Sequence, residues 1–315
     1  MWRRAVASAL ASAALALGGC GGDDGGDGSE TAERPPEGGS LAYALAADPD
    51  RLDPLFAADR PSQVVTRQIH EPLTGRLTGP FGDLRELPGL TRSASPSGDS
   101  TIWRFRLRGR IRFGDGTPLN AAAVLANADR WIATAEGQAL LPALVAVDGP
   151  RPDLVRFILD SPDPDLPSRL AQARLGLVSP RAIRAAGGGE VAVAEGGTGT
   201  GAFEFRESEA PTTVLARNVD WWGTRLDLGP ALDQLVFRVV PEAEARVAAL
   251  AEDEVKIADE LDATAIRDVR GDPLLTVDGG EGEVVGLERS VRGLQLEDGV
   301  PQLSGVWLTT VGVGE

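Results

Sequence analysis

The feature that most constrains this chain is a strict alternation from Trp103 to Arg108. Trp103, Phe105 and Leu107 fall on one side of an extended chain, and Arg104, Arg106 and Arg108 fall on the other. A period of two requires a strand with one dry face and one wet face, and a slip of one residue would bury three guanidinium groups. Gly114-Asp115-Gly116 then supplies a turn, and Asn120 is placed to cap an alanine-rich helix from Ala121 to about Ala135. The arginine face suits either an anion site or a solvated surface neutralised by nearby carboxylates, the commoner use of such a face.

The amino terminus has the form of an export signal. Arg3 and Arg4 precede an apolar run from Ala5 to Leu17, too short for the roughly 20 residues that span a bilayer, so residues 1–19 are expected to be a signal peptide. Leu17-Gly18-Gly19-Cys20 is similar to a bacterial lipobox. Cys20 is the only cysteine, which excludes an intrachain disulfide and makes it the expected lipidation site, hence a membrane anchor. Residues 20–40 form a polar, glycine-rich tether; Asp23, Asp24 and Asp27 lack the alternation and terminal glutamate of a calcium loop and act as a spacer. With 42% hydrophobic residues the remainder is globular, and a net charge of -16 excludes a nucleic-acid partner, because phosphate binding needs the opposite sign.

Further strands are expected at Leu41 to Ala46, Leu154 to Leu159, Ala202 to Glu207 and Gln234 to Val240. Helices are expected at Ser62 to Ile69, near Leu166 to Ala173, at Pro180 to Ala186 and at Glu242 to Leu250. The Gly-Thr-Gly-Thr-Gly run ending at Gly201 lacks the Lys-Ser/Thr of a phosphate loop and leads into a strand, so it is a structural turn. His70, the sole histidine, has no partners for a metal site or triad and is assigned to packing or the surface. Trp221 and Trp222 offer a stacking platform for a ligand or a pair of core residues; the core is favoured.

Trp103 to Trp131, WRFRLRGRIRFGDGTPLNAAAVLANADRW, and Gly199 to Gly223, GTGAFEFRESEAPTTVLARNVDWWG, together resemble the family 5 solute-binding proteins, the peptide and nickel receptors of ABC importers. Leu52-Asp53-Pro54 and His70-Glu71-Pro72-Leu73 are similar to the family's opening, with His70 where tyrosine is commoner. Glu252 to Ala258 looks like the strand that precedes the crossing to the second large lobe. The resemblance implies an α/β fold, a mixed-sheet periplasmic-binding-protein-like lobe of the type II class with an inserted smaller α+β domain. It places the main lobe at 41–60 and 179–270 and the insertion at 61–178. Residues 271–286 would be a short connection where the second lobe is missing or vestigial, and 287–315 a carboxy-terminal segment returning to the main lobe.

The same resemblance implies an extracytoplasmic, membrane-anchored receptor for a peptide or oligopeptide, with ABC permease subunits as partners and no cofactor. It puts Ala58, Asp59 and Arg60, and Thr200 in the glycine turn, near the ligand, with Asp59 and Arg60 facing the charged ends of a peptide. A surface lipoprotein that serves as scaffold or regulator without capturing a ligand is the alternative. An enzyme is not expected, because no nucleophile, acid pair or metal set stands in a recognisable arrangement.

Overall fold

The computed structural model describes residues 37–75, 89–193, 197–262 and 264–265, and the backbone of short strands between 77 and 308. The signal segment, Cys20 and the tether as far as residue 36 lie outside the described residues, as does most of the 271–286 connection.

The chain builds two principal sheets. In the smaller one, β4 (Thr91–Pro96), β5 (Ile102–Leu107), β6 (Leu144–Arg151) and β7 (Leu154–Leu159) lie antiparallel in the order β4-β5-β7-β6. The expected alternation is present in β5. Trp103, Phe105 and Leu107 are buried and Arg104 and Arg106 exposed, and β7 brings Val155 and Phe157 to the same dry face. Phe105 meets Phe157 edge-on, with ring centroids 5.2 Å apart. On the wet face Arg156 forks onto Asp148 with bonds of 2.8 and 2.5 Å, and Arg106 pairs with Asp153 at 3.3 Å. Arg108 departs from the expected solvated row: just past the strand end, it is half-buried, donates from Nε to Gly89 O at 2.8 Å and lies over the Trp222 ring.

The dry face is covered by α2 (Ala121–Ala133), whose N-cap Asn120 accepts from the Ala123 N–H at 3.0 Å. The helix ends at Ala133, two residues early, because Thr134 turns extended and caps the separate helix α3 (Ala135–Leu140). The region near Leu166 to Ala173 is also less helical than expected. It holds one turn, α4 (Leu166–Arg169), and then a 3-10 turn at Ala173–Leu175.

The larger sheet has seven strands. β1 (Ser40–Leu45) runs parallel to β10 (Gln234–Val239) on one side and to β11 (Ile257–Ala258) on the other. The antiparallel pair β8 (Phe203–Glu209) and β9 (Thr212–Arg217) extends the β10 edge, and β13 (Val285–Leu287) and β12 (Leu275–Val277) extend the β11 edge. Leu41, Tyr43, Ala44 and Leu45 are all buried, the near-continuous apolar run expected of a parallel strand covered on both faces. The expected strand at Glu252 to Ala258 shrinks to Ile257–Ala258, because Glu252 ends α6 (Ala243–Ala251) and Asp253 turns at φ 63.

α1 (Arg60–Ile69) leads from the larger sheet to the smaller one, so a boundary drawn between residues 60 and 61 falls in its first turn. The helix α5 (Pro180–Ala185) begins the return. Small antiparallel pairs complete the described backbone: β2 (Leu77–Thr78) with β3 (Leu84–Arg85), β14 (Val291–Arg292) with β17 (Trp307–Leu308), and β15 (Gln295–Glu297) with β16 (Val300–Gln302).

Candidate functional site

The carboxyl ends of parallel strands are where open α/β sheets place ligands. At that end of β1 and β11 the chain assembles a charged edge from three separate segments. Tyr43 of β1 donates its hydroxyl to Asp259 Oδ2 at 2.9 Å, and Arg60 at the start of α1 sets Nε between both Asp259 oxygens, 2.9 Å from each. Asp259 is fully buried, whereas Arg60 keeps 24% of its side chain exposed. A buried carboxylate is tolerable only when every lone pair is used, and Glu260 N–H supplies a further donor at 2.7 Å. Arg246 reinforces the backbone behind it, donating to Asp259 O and Glu260 O at 2.9 and 2.7 Å.

Glu260 stands on the outside of this arrangement in a left-handed conformation, φ 53, which for a non-glycine residue costs on the order of 1 kcal/mol or more. Burial, then the neighbouring Asp259 charge, holds its carboxyl above the usual range. Asp59 also belongs to this edge. Its side chain accepts from Ser62 N–H at 2.8 Å and caps α1, while the Ala58 carbonyl accepts from the Gln63 amide at 3.0 Å. Asp59, Asp259 and Glu260 thus face Arg60 and the enclosed Arg246, an excess of negative charge.

Thr200 lies elsewhere. Gly201 N–H donates to Ile69 O at 2.9 Å, so the glycine turn sits at the carboxyl end of α1, while Ala58 to Arg60 sit at its amino end. Ten helical residues span about 15 Å. Thr200 is 1% exposed and donates its hydroxyl to Glu71 Oε2 at 2.7 Å, and Glu71 also accepts from Trp222 Nε1 at 2.8 Å and Trp221 Nε1 at 3.3 Å. The two tryptophans are core residues that present their N–H groups to a carboxylate. Burial pushes the Glu71 carboxyl up to about 7 although all three hydrogen bonds act to lower it. His70 beside it is enclosed, shares a 2.8 Å bond between Nε2 and Thr198 Oγ1, and is pushed down by burial to about 3.

Asp53 of the Leu-Asp-Pro turn is likewise internal. It pairs with Arg130 of α2, accepts from Val191 N–H at 2.7 Å and caps the 3-10 turn Pro54–Phe56. The structure therefore brings Ala58, Asp59 and Arg60 together with Tyr43, Asp259 and Glu260, and leaves Thr200 in a separate buried knot. Sequence inspection missed Asp259 and Glu260, which directly follow the stretch Glu252 to Ala258 read from its resemblance. The available clue was Tyr43, the only tyrosine, inside an apolar strand where its hydroxyl needs a partner.

The family model described as "Bacterial extracellular solute-binding proteins, family 5 Middle" matches residues 87–296. Among curated proteins, the probable D,D-dipeptide-binding periplasmic protein DdpA of Escherichia coli is 27% identical over 226 residues, covering 70% of this chain and 43% of that protein. The glutathione-binding protein GsiB of the same species is 28% identical over 225 residues, covering 69% of this chain and 41% of its own length. Among solved structures, the periplasmic binding protein DppA of Helicobacter pylori, in complex with the peptide STSA, superposes with a TM-score of 0.63 at 22% identity. That match covers 77% of this chain and 51% of DppA. The murein tripeptide-binding protein MppA in its unliganded open form gives 0.62 at 20% identity, covering 77% and 50%. The fold is thus the mixed-sheet lobe of these proteins. The chain spans about half the length of the relatives it matches, the coverage expected where one of two lobes is present.

Proposed function

Because the chain belongs to the bacterial extracellular solute-binding proteins of family 5, we propose that it is the extracytoplasmic receptor lobe of an ABC importer for a peptide-like solute. The observation that carries this is the edge at Arg60, Asp259 and Glu260. Asp259 holds the Arg60 guanidinium through Nε and leaves Nη2 enclosed without a hydrogen-bond partner among the described residues while 24% of the side chain stays exposed, and Glu260 is held beside it in a strained backbone conformation at the carboxyl end of the sheet. The excess of carboxylates favours the ammonium end of the solute, with Glu260 receiving it and Arg60 setting the position of that contact. Thr200 in this reading holds Glu71 and does not touch solute. The relatives DdpA and GsiB, named for binding a dipeptide and glutathione, support the peptide-like class. Location outside the cytoplasm, with Cys20 as lipid anchor and permease subunits as partners, completes the proposal.

The test is titration of the purified chain with trialanine by calorimetry. A half-site closed by no second lobe buries little of its ligand, so binding is expected in about the millimolar range. Glu260→Gln should weaken it at least tenfold, and N-acetylated trialanine should bind no better than the variant. Equal binding of both peptides by both proteins would refute the assignment. A scaffold or regulator that captures no solute is favoured by the short coverage of the relatives, and no detectable binding of any oligopeptide would select it.

A further inference from the structure

At the opposite end of β1 from Asp259, a second charged cavity of about 640 Å³ opens between the two sheets. One wall is the turn after β5, which contributes Arg110 and Arg112. The other is formed by Glu204 of β8, Asp220 after β9, and Arg225 of the 3-10 turn Trp222–Leu226. The walls are locked together beneath it, because Gly114 N–H donates to Gly199 O at 2.9 Å and Gly197 lies so close that a Cβ there would stand 3.2 Å from both Gly114 Cα and Glu204 Cγ.

Three guanidinium groups and two carboxylates thus surround one space of the size small-molecule sites have, yet among the described residues no ion pair joins any of the five to another residue. Arg110, Arg112, Asp220 and Arg225 are exposed, so their separation costs little in the absence of a ligand and they remain available to one. Here the backbone holds them around the cavity. Arg112 is tied by Nη1 to Gly116 O at 2.8 Å, and Arg110 is kept in a left-handed conformation at φ 65, a strained state for a residue with a side chain. Asp220 N–H is held by Asn218 Oδ1 at 3.0 Å, and the Asn218 amide is itself bonded to Gly201 O at 2.9 Å. Glu204 is half-buried, and burial together with the nearby Asp220 charge raises its carboxyl, which is the response of a carboxylate that lacks a cation.

We propose that this groove is a second binding site, for a small zwitterion such as an amino acid or dipeptide, distinct from the edge at Glu260. The carboxylate of the ligand lies against Arg110, Arg112 and Arg225, and its ammonium group lies between Glu204 and Asp220. One charge of either sign would leave part of the wall repelled, whereas a ligand carrying both satisfies both sets. A zwitterion here also bridges the two sheets, so its binding stiffens the junction between them.

The experiment is amide-detected magnetic resonance on the full chain, titrated with alanyl-alanine to about 20 mM, on the wild type and on Glu260→Gln, Glu204→Gln and Arg225→Ala. Shifts at 110–116 and 218–225 that persist in Glu260→Gln, and weaken at least tenfold in each of Glu204→Gln and Arg225→Ala, support the site independently of the first. The N-acetyl and carboxamide derivatives of the dipeptide should each lose at least tenfold. Shifts confined to 58–60 and 258–260 would overturn the proposal while leaving the first site intact. Equal binding of the N-acetyl derivative would also overturn it, as the mark of a plain anion site.

Discussion

Replacement of Glu71 by glutamine tests the electrostatic design of the junction. The wild-type carboxyl titrates near 7 when folded and near 4.5 when not, so between those values the native protein holds a proton that the unfolded chain has released. Stability from this group therefore falls as pH rises through the window and is level above it. At about 1.36 kcal/mol per pH unit, the interval from 4.5 to about 7 corresponds to about 3 kcal/mol. The raw stability curve conceals this, because His70, pushed down to about 3 from 6.5, acts in the opposite sense: its contribution is complete above pH 6.5 and is lost as pH falls. The difference between wild type and Glu71→Gln cancels His70 and isolates Glu71. Glutamine keeps an acceptor for Thr200 and Trp222 at the Oε2 position and sacrifices only the 3.3 Å bond from Trp221. Urea unfolding of both proteins from pH 4.5 to 8 should show the wild type losing about 3 kcal/mol relative to the variant as pH rises. A flat difference, or one of opposite sign, would mean that the three hydrogen bonds outweigh burial, and the argument would fail.

Two further outcomes concern the scaffold. Phe105→Ala should cost about 3 to 5 kcal/mol in chemical denaturation, since the ring is fully enclosed, while Arg104→Ala on the opposite face should stay within about 0.5 kcal/mol; comparable losses would contradict the strand register. Gly199→Ala should prevent cooperative folding, because its Cβ would lie 1.9 Å from Ile69 O, whereas Gly98→Ala, with nothing within 4 Å, should leave the melting temperature unchanged.

What was legible in the sequence follows from what is local. The β5 alternation, the Asn120 cap and the β1 apolar run each state a periodicity or a cap within a few residues, and each appears as a strand or helix end where expected. The edge strands β4 and β6 escaped notice because a strand with one neighbour and a largely open surface needs few apolar residues; β4 carries Ser93, Ser95 and Pro96, and β6 carries Asp148, Gly149 and Pro150. The polar clusters escaped for a different reason. Tyr43, Arg60 and Asp259 meet across 199 and 216 positions of chain, and Glu71 meets Thr200 and Trp222 across 129 and 151.

Those long separations also explain why the motifs that identify the family do not mark the contacts. The Leu-Asp-Pro turn, the Glu-Pro-Leu segment, the glycine turn and the tryptophan pair all end in buried or part-buried hydrogen bonds: Asp53 to Arg130 and Val191, Glu71 to Thr200 and both indoles. Each fastens the insertion to the main sheet, where an unpaired buried group would cost about 1 to 3 kcal/mol, so residue choice there is narrow. The Glu260 side chain, proposed above to face the solute, makes no such buried bond among the described residues, and its left-handed backbone at φ 53 is one the sequence does not announce. The recognisable segments therefore report the frame, and the edge proposed to meet the solute lies immediately beside one of them, at the end of a strand the frame sets in place.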